Sequence, residues 1–190
     1  MNIHAVDRYM LMAQALGAPG EEKKDFTIRI SEQDRQFVRD FLKDVKDRQA
    51  DVPLIAINPS ARWVTKQWNL EKFAELGDAL QEQWGANVVL IGSQEDVELV
   101  ERVRTAMRFK PLIATGKTNL KQLVALLGQA DLLITNDTGP MHIASSVGTP
   151  TVALFGPTDP RRTGPYGQGH VVLSKHVFCS PCFKKRCPNE

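Results

Sequence analysis

A run of polar residues, Thr-Asn-Asp-Thr-Gly-Pro-Met-His, follows an apolar stretch at the point where a helix is expected to begin with Pro140. Proline suits the first helical position, and the free amides of a first helical turn, with the helix dipole, attract anions. We expect the amides of Met141 and His142 to be free. Thr138 would add a hydroxyl, and Gly139 would let a ligand approach the backbone closely. The pattern predicts a phosphate site.

Two side chains of this run could contact a ligand that carries both phosphate and hydroxyl groups. His142 can donate a hydrogen bond to an anion, whereas the Asp137 carboxylate would repel one. Asp137 is therefore predicted to accept hydrogen bonds from the hydroxyls of a sugar or from the amides of its own loop. The alternative is that Asp137 and Thr138 are ordinary helix caps and that His142 is a surface or core histidine.

Further candidates lie in two other loops that follow predicted strands. Lys66, between Trp63 and Trp68, could reach a phosphate, although its position alone favours a solvated surface lysine. Trp68 is expected to anchor the following helix, and Arg62 could add a bidentate phosphate contact.

Gln94 and Glu95 begin a predicted helix, where a capping role is the default and ribose binding is the alternative. The sequence contains no glycine-rich dinucleotide fingerprint, P-loop, paired-histidine metal motif or nucleophile elbow around a serine. Conventional dehydrogenases and P-loop enzymes are therefore disfavoured.

The composition is that of a globular protein of 190 residues, with 42% hydrophobic and 24% charged residues. A formal net charge of +2 gives no argument for a nucleic-acid partner. No apolar run approaches the ~20 residues of a membrane span, and the first residues lack a signal-peptide layout. The expected location is the cytoplasm.

Apolar periodicity divides the chain into a connector followed by alternating strands and helices. The connector has helices at 5–16 and from 31 towards 48, with an extended piece at 26–30 between them. Strands are predicted at 53–58, 87–91, 111–114, 131–135 and 151–155, and helices at 70–84, 94–107 and 119–127. Continuous apolar strands separated by helices predict a Rossmann-like α/β fold, a parallel sheet covered by helices on both faces. In such a sheet, ligands bind at the carboxyl ends of the strands.

The three cysteines, Cys179, Cys182 and Cys187, all lie near the end of the chain. An odd count argues against a complete disulfide framework. A zinc site would need His176 as a fourth ligand, and a solvated basic tail with thiols is the favoured alternative. The basic residues of this tail could also contact a membrane surface.

Three runs in this order and spacing resemble the heptosyltransferase family, glycosyltransferase family 9: Lys66–Leu76, Thr135–Ala144 and Leu154–Pro160. The resemblance implies the C-terminal half of a two-domain GT-B enzyme. It divides the chain into connector helices at 1–50 from the end of a missing N-terminal domain, a Rossmann-like nucleotide-sugar domain at 51–178, and a cysteine-rich basic tail at 179–190.

The resemblance also implies what the site binds. Its donor would be an ADP-sugar, held without a metal or cofactor. Lys66 and His142 would stabilise the departing diphosphate, and the donor-binding set would comprise Ser60, Arg62, Lys66, Gln94, Glu95, Asp137, Thr138, Gly139 and His142. Within this set, Asp137 would contact the sugar hydroxyls, and Gln94 or Glu95 the ribose.

Inverting transfer of heptose to a lipopolysaccharide-core acceptor is the activity that this likeness implies. The acceptor, a lipid-linked saccharide, and the catalytic base would belong to the missing domain, so this chain is expected to bind donor without transferring sugar. Peripheral contact with the inner membrane is a further implication. The alternatives are a non-catalytic nucleotide or nucleotide-sugar binding module and a GT-B-like sugar-nucleotide epimerase relative.

Overall fold

A six-stranded parallel sheet forms the centre of the computed structural model, which describes residues 3–20, 24–43, 45, 52–175 and 177–189. The strand order is β3-β2-β1-β4-β5-β6. The strands are β1 (Leu54–Asn58), β2 (Asn87–Leu90), β3 (Leu112–Ile113), β4 (Leu132–Asn136), β5 (Thr151–Phe155) and β6 (His170–Ser174). The order reverses between β1 and β4, and a parallel sheet opens a binding crevice at such a switch point.

Helices cover both faces of the sheet. They are α1 (Ala5–Ala15), α2 (Glu32–Leu42), α3 (Leu70–Trp84), α4 (Val97–Ala106), α5 (Leu120–Leu127), α6 (Gly139–Val147) and α7 (Pro160–Thr163). One apolar core contains Val38 of α2, Leu126 of α5 and Ala144 of α6. The other contains Phe73 of α3 and Val103 of α4. The two cores explain why the central strands are continuous apolar runs, since both of their faces are buried.

The residues that flank the helices are types that favour helix ends. Ser31 caps α2 and Asn119 caps α5, each through a reciprocal capping box. Asn69 accepts a hydrogen bond from the amide of Lys72 at the start of α3. That helix ends at Gly85, whose φ of 63° is left-handed and favours glycine.

The predicted fold class, a Rossmann-like parallel sheet with helices on both faces, is confirmed. All five predicted strands are present within one or two residues, and β6 and the short α7 were missed. β6 pairs with β5 at the edge of the sheet and is mostly exposed, so it carries no buried apolar run that would reveal it.

Three predicted elements differ from the structure. The second connector helix ends at Leu42, and residues 44 and 46–48, over which it was expected to continue, lie outside the described residues. Residues 26–30 form no strand. The helix predicted over 94–107 begins with a 3-10 turn, Gln94–Asp96, because Ser93 caps this turn, and becomes α-helical at Val97. No helix in the described part of the chain is both long and apolar enough to cross a bilayer.

Candidate functional site

Buried asparagines join the loops at the carboxyl ends of β1 and β4. The Asn136 amide donates to the carbonyl of Pro59 at 2.8 Å, and its Oδ1 accepts from the amide of Trp68 at 3.0 Å. Asn58 Nδ2 donates to Thr135 Oγ1 at 3.2 Å across the two strands. These contacts hold the β1–α3 loop against the end of β4 in the absence of a ligand. The loops that follow β1, β4 and β5 at this edge of the sheet are here called the rim.

An ionic cluster lies at this rim. Lys66 Nζ is 2.6 Å from Asp137 Oδ2, and the Thr158 hydroxyl donates to the same oxygen at 2.6 Å. The three residues come from the loops after β1, β4 and β5. The Asp137 side chain is 4% exposed and that of Lys66 is 18% exposed, so water screens the pair only weakly.

The cluster changes the interpretation of two residues. Lys66 is not the solvated surface lysine that its position alone predicts, because it is paired and mostly buried. Asp137 would repel a phosphate on its own, but here its charge is offset by Lys66. Among the described residues, only Lys66 and Thr158 contact the Asp137 carboxylate, and both do so at Oδ2. Oδ1 is therefore unused by side chains and available to a hydroxyl.

Trp63 and Trp68 flank this lysine in sequence and do different things in the structure. The Lys66 ammonium lies 4.7 Å from the centroid of the Trp63 ring. Trp68 meets Phe73 of α3 edge-on at 5.0 Å, in agreement with the predicted anchoring role.

The start of α6 differs from the prediction by one residue. The helix begins at Gly139, which places Pro140 at its second position. The amide of Met141 donates to the carbonyl of Thr138 at 3.2 Å, so the predicted free amide of Met141 is wrong. The free amide of His142 stays a prediction, and Gly139 at the first helical position offers a further amide that can meet an anion. A Cβ built on Gly139 would point into open space, so a ligand can reach this backbone.

His142 is exposed on α6 and lies within the electrostatic reach of the ionic cluster. Protein atoms around the ring remove part of its hydration, which lowers the pKa of His142. The Asp137 carboxylate opposes this shift, whereas the positive charges of His4 and Lys66 add to it. Lys66 and Asp137 are thus near enough to His142 to influence its pKa, although the His142 side chain itself lines a small pocket with Phe26 and Tyr166.

A cleft of about 640 Å³ opens beside the α6 start, at the switch point between β1 and β4. Five of the predicted donor-binding residues line it: Ser60, Arg62, Glu95, Thr138 and Gly139. Ser60 is buried and donates to Asn58 Oδ1 at 3.2 Å, whereas Arg62 is exposed. A larger, shallower depression between α3 and α4 is also lined by Gln94 and Glu95. Its other charged residues are Glu71, Glu98, Glu101 and Arg102, so its net negative charge would repel phosphate.

The structure separates Gln94 from Glu95. Only Glu95 lines the 640 Å³ cleft, whereas the Gln94 side chain lies over Gly116. The capping role that the sequence assigns to both belongs to Asp96, whose Oδ2 accepts from the amide of Ser93 at 2.7 Å and from its hydroxyl at 2.6 Å. Of the pair, only Glu95 can therefore contact a ligand in this cleft.

The cysteines form no metal centre in the described part of the chain, where no group of three or more candidate ligands is close enough to hold an ion. His176, the predicted fourth ligand, lies outside the described residues. Cys179, Cys182 and Cys187 are free thiols. The tail that carries them is not simply solvated, because residues 180–185 contact two loops of the rim.

Sequence reasoning missed Thr158 and Asn136. Thr158 belongs to a Gly-Pro-Thr-Asp-Pro run directly after a predicted strand. That position could have indicated that Thr158 lies at the carboxyl edge of the sheet. The cross-link made by Asn136 had no local signal, because its partners lie in the loop between β1 and α3.

The whole chain, residues 1–190, matches the family described as glycosyltransferase family 9 (heptosyltransferase). The protein belongs to glycosyltransferase family 9. It is 34% identical to a lipopolysaccharide core heptosyltransferase of Haemophilus influenzae over 173 residues, which are 90% of this chain and 48% of that protein. The chain thus spans about half the length of this curated relative.

Solved structures agree with the family assignment. A family 9 glycosyl transferase from Veillonella parvula superposes with a TM-score of 0.84 and 35% identity, covering 93% of this chain and 51% of that one. Escherichia coli ADP-heptose lps heptosyltransferase II gives a TM-score of 0.69 and 27% identity, covering 84% of this chain and 48% of that one. The Rossmann-like sheet thus corresponds to about half of a GT-B heptosyltransferase.

Proposed function

We propose that this chain is the donor-binding part of an inverting glycosyltransferase that takes heptose from an ADP-sugar. The observation that carries the proposal is the Lys66–Asp137–Thr158 cluster at the sheet switch point, next to the start of α6. One cation, one carboxylate and a free helix amide together suit a ligand with both a diphosphate and sugar hydroxyls. The name of the Escherichia coli relative includes ADP-heptose, which supports this choice of donor.

Different residues would contact different parts of the donor. The 640 Å³ cleft would take the nucleoside, with Glu95 accepting from the ribose hydroxyls. The amide of Gly139 and the ammonium of Lys66 would face the diphosphate. Asp137 Oδ1 would accept from the sugar. These groups come from the segments that follow β1, β2 and β4, so a complete donor would contact three neighbouring segments at this edge of the sheet.

The chemistry follows from where charge develops. An acceptor hydroxyl attacks the anomeric carbon while the glycosyl–diphosphate bond breaks, and negative charge collects on the leaving diphosphate. Lys66, the helix start and His142 would stabilise that charge, and losing one such prearranged donor typically costs about 3 kcal/mol of barrier. The acceptor also needs a general base, which we assign to another domain of the complete enzyme.

A lipopolysaccharide-core acceptor and contact with the membrane surface belong to the same proposal. The relative from Haemophilus influenzae is named for the lipopolysaccharide core. Phe178 is 98% exposed and stands near Lys175 in the sequence, and such a pairing of apolar and basic groups suits an anionic lipid surface.

Calorimetric titration of the 190-residue chain with ADP, UDP and GDP tests the donor assignment. We expect ADP to bind most tightly and ADP-heptose to bind more tightly than ADP, because the sugar adds the contact with Asp137. Equal affinity for the three nucleotides, or no binding, would contradict the proposal.

A further inference from the structure

Residues Ser180–Lys185, here called the C-terminal strap, fold back onto the loop after β5. The Ser180 hydroxyl donates to the carbonyl of Gly156 at 2.6 Å. The amide of Phe183 donates to the carbonyl of Pro157 at 2.7 Å. Both contacts use backbone acceptors of the loop, so this docking needs no particular side chain there.

The other end of the strap contacts the loop after β1. The Thr65 hydroxyl donates to the carbonyl of Lys184 at 2.8 Å. Lys185 Nζ lies 5.6 Å from the centroid of the Trp63 ring. The strap therefore spans from the β5–α7 loop to the β1–α3 loop.

The two loops that the strap joins are those whose side chains meet on Asp137. Thr65 precedes Lys66 in the chain, and Pro157 precedes Thr158. A shift of either loop would move one of the two groups bonded to Asp137 Oδ2. The strap thus braces the ionic cluster from outside the sheet.

Phe183 shows that this docking is specific. Its φ of 56° is left-handed, a conformation that is strained for an aromatic residue and persists only where surrounding contacts enforce it. The hydrogen bond to Pro157 and the Arg162 guanidinium, 5.2 Å from the ring centroid, supply such contacts.

Two lysines share one aromatic ring at the rim. Lys66 and Lys185 place their ammonium nitrogens 4.7 and 5.6 Å from the Trp63 centroid. They therefore lie within about 10 Å of each other, close to the screening length at 0.1 M salt. Lys66 is paired with Asp137, whereas Lys185 has no carboxylate partner among the described residues. Lys185 is therefore a cation beside the cluster that could pair with an anionic ligand.

We propose that the C-terminal strap is part of the donor site, where Lys185 supplies a second cation to the donor diphosphate and the strap backbone positions the turn that carries Lys66. The inference rests on the proposed function and extends it to a segment that the sequence predicts to be a solvated tail. It assigns Lys185 a direct contact with the diphosphate and Thr65 a positioning role.

Lys185→Ala tests the direct contact, with Lys110→Ala as the matched control. Lys110 is an exposed lysine ahead of β3, at the opposite edge of the sheet, so both variants lose one positive charge. For an exposed cation we expect the dissociation constant for ADP to be roughly three- to fivefold larger in Lys185→Ala and unchanged in Lys110→Ala. The difference between the two variants should shrink at 0.5 M salt. Equal affinities of the two variants at low salt would overturn the contact.

Thr65→Val and Thr65→Ser test the brace. Valine removes the hydroxyl that holds Lys184, whereas serine keeps it. We expect Thr65→Val to weaken ADP binding and Thr65→Ser to restore it, with the thermal midpoints of both measured to exclude a general loss of folding. Wild-type affinity in Thr65→Val would overturn the positioning role. If the wild-type chain binds no ADP, the proposed function itself fails, whereas ADP binding that is unaffected by Lys185→Ala and Thr65→Val refutes only the role of the strap.

Discussion

At the scale of residues, the Asp137 carboxylate organises the site. It sits 4% exposed between Lys66 and Thr158, so its charge depends on two partners from distant parts of the chain. Lys66 pairs with Asp137, and in the proposed function it would also face the diphosphate of the donor. Removing Lys66 would leave a buried carboxylate unpaired, which is costly in itself.

Thr158→Val removes one of the two bonds to Asp137 Oδ2 with little change in shape. We expect the free energy of unfolding to fall by about 1.5–3 kcal/mol, the usual range for a hydrogen bond to a charged group. ADP affinity should also fall, because the Lys66–Asp137 geometry is less fixed. Thr158→Ser, which keeps the hydroxyl, is the control, and both quantities can be followed by denaturant titration and calorimetry. A valine variant with wild-type affinity would show that Thr158 does not position the pair.

We expect the titration of His142 to set how donor binding varies with pH. Loss of hydration lowers the pKa of His142 below its usual 6.5, so the free protein holds the ring neutral at pH 7. This shift contributes stability that is present above the unfolded pKa and is lost as the pH falls through the lower folded value. A bound diphosphate would raise the pKa again, so binding should take up a proton and become tighter as the pH falls below 7.

ADP-ribose is the suitable probe for this effect, because neither of its phosphates titrates near neutral pH as the terminal phosphate of ADP does. We expect its affinity to rise between pH 7.5 and 6, by at most about tenfold per pH unit for one linked proton. His142→Asn should flatten the profile. An equally steep profile in the asparagine variant would assign the proton to another group.

At the scale of elements, the start of α6 exposes backbone where we propose that the donor phosphate binds. Gly139 occupies the first helical position, and a methyl group there would meet open space in the free protein. Gly139→Ala should therefore leave the thermal midpoint unchanged or slightly higher, while it weakens ADP binding by filling the space that a phosphate would use. Gly128→Ala, at the end of α5, is the matched control. Unaltered ADP affinity in Gly139→Ala would argue against a phosphate at this helix start.

At the scale of the whole molecule, the sheet gathers loops from different strands at one edge. The β1, β4 and β5 loops contribute Lys66, Asp137 and Thr158, and the C-terminal strap closes over two of them. The proposed function assigns the base for the acceptor to another domain, so we expect the 190-residue chain to bind donor without transferring sugar. Incubation with ADP-heptose and a lipopolysaccharide-core acceptor, followed by assay for ADP release, checks this. Appreciable turnover by the purified chain would contradict it.

The sequence by itself determined the fold class, the family and the outline of the rim. Apolar runs and capping residues are local signals, so β1, α3 and β5 could be found within one residue of their observed ends. Three separate motifs in the right order were enough to indicate the family. The tertiary structure alone decided which rim residues meet: Lys66 with Asp137, Glu95 rather than Gln94 in the cleft, and the strap against Thr65. Those contacts join residues far apart in the chain, and they arise because parallel strands bring their carboxyl ends to a common edge.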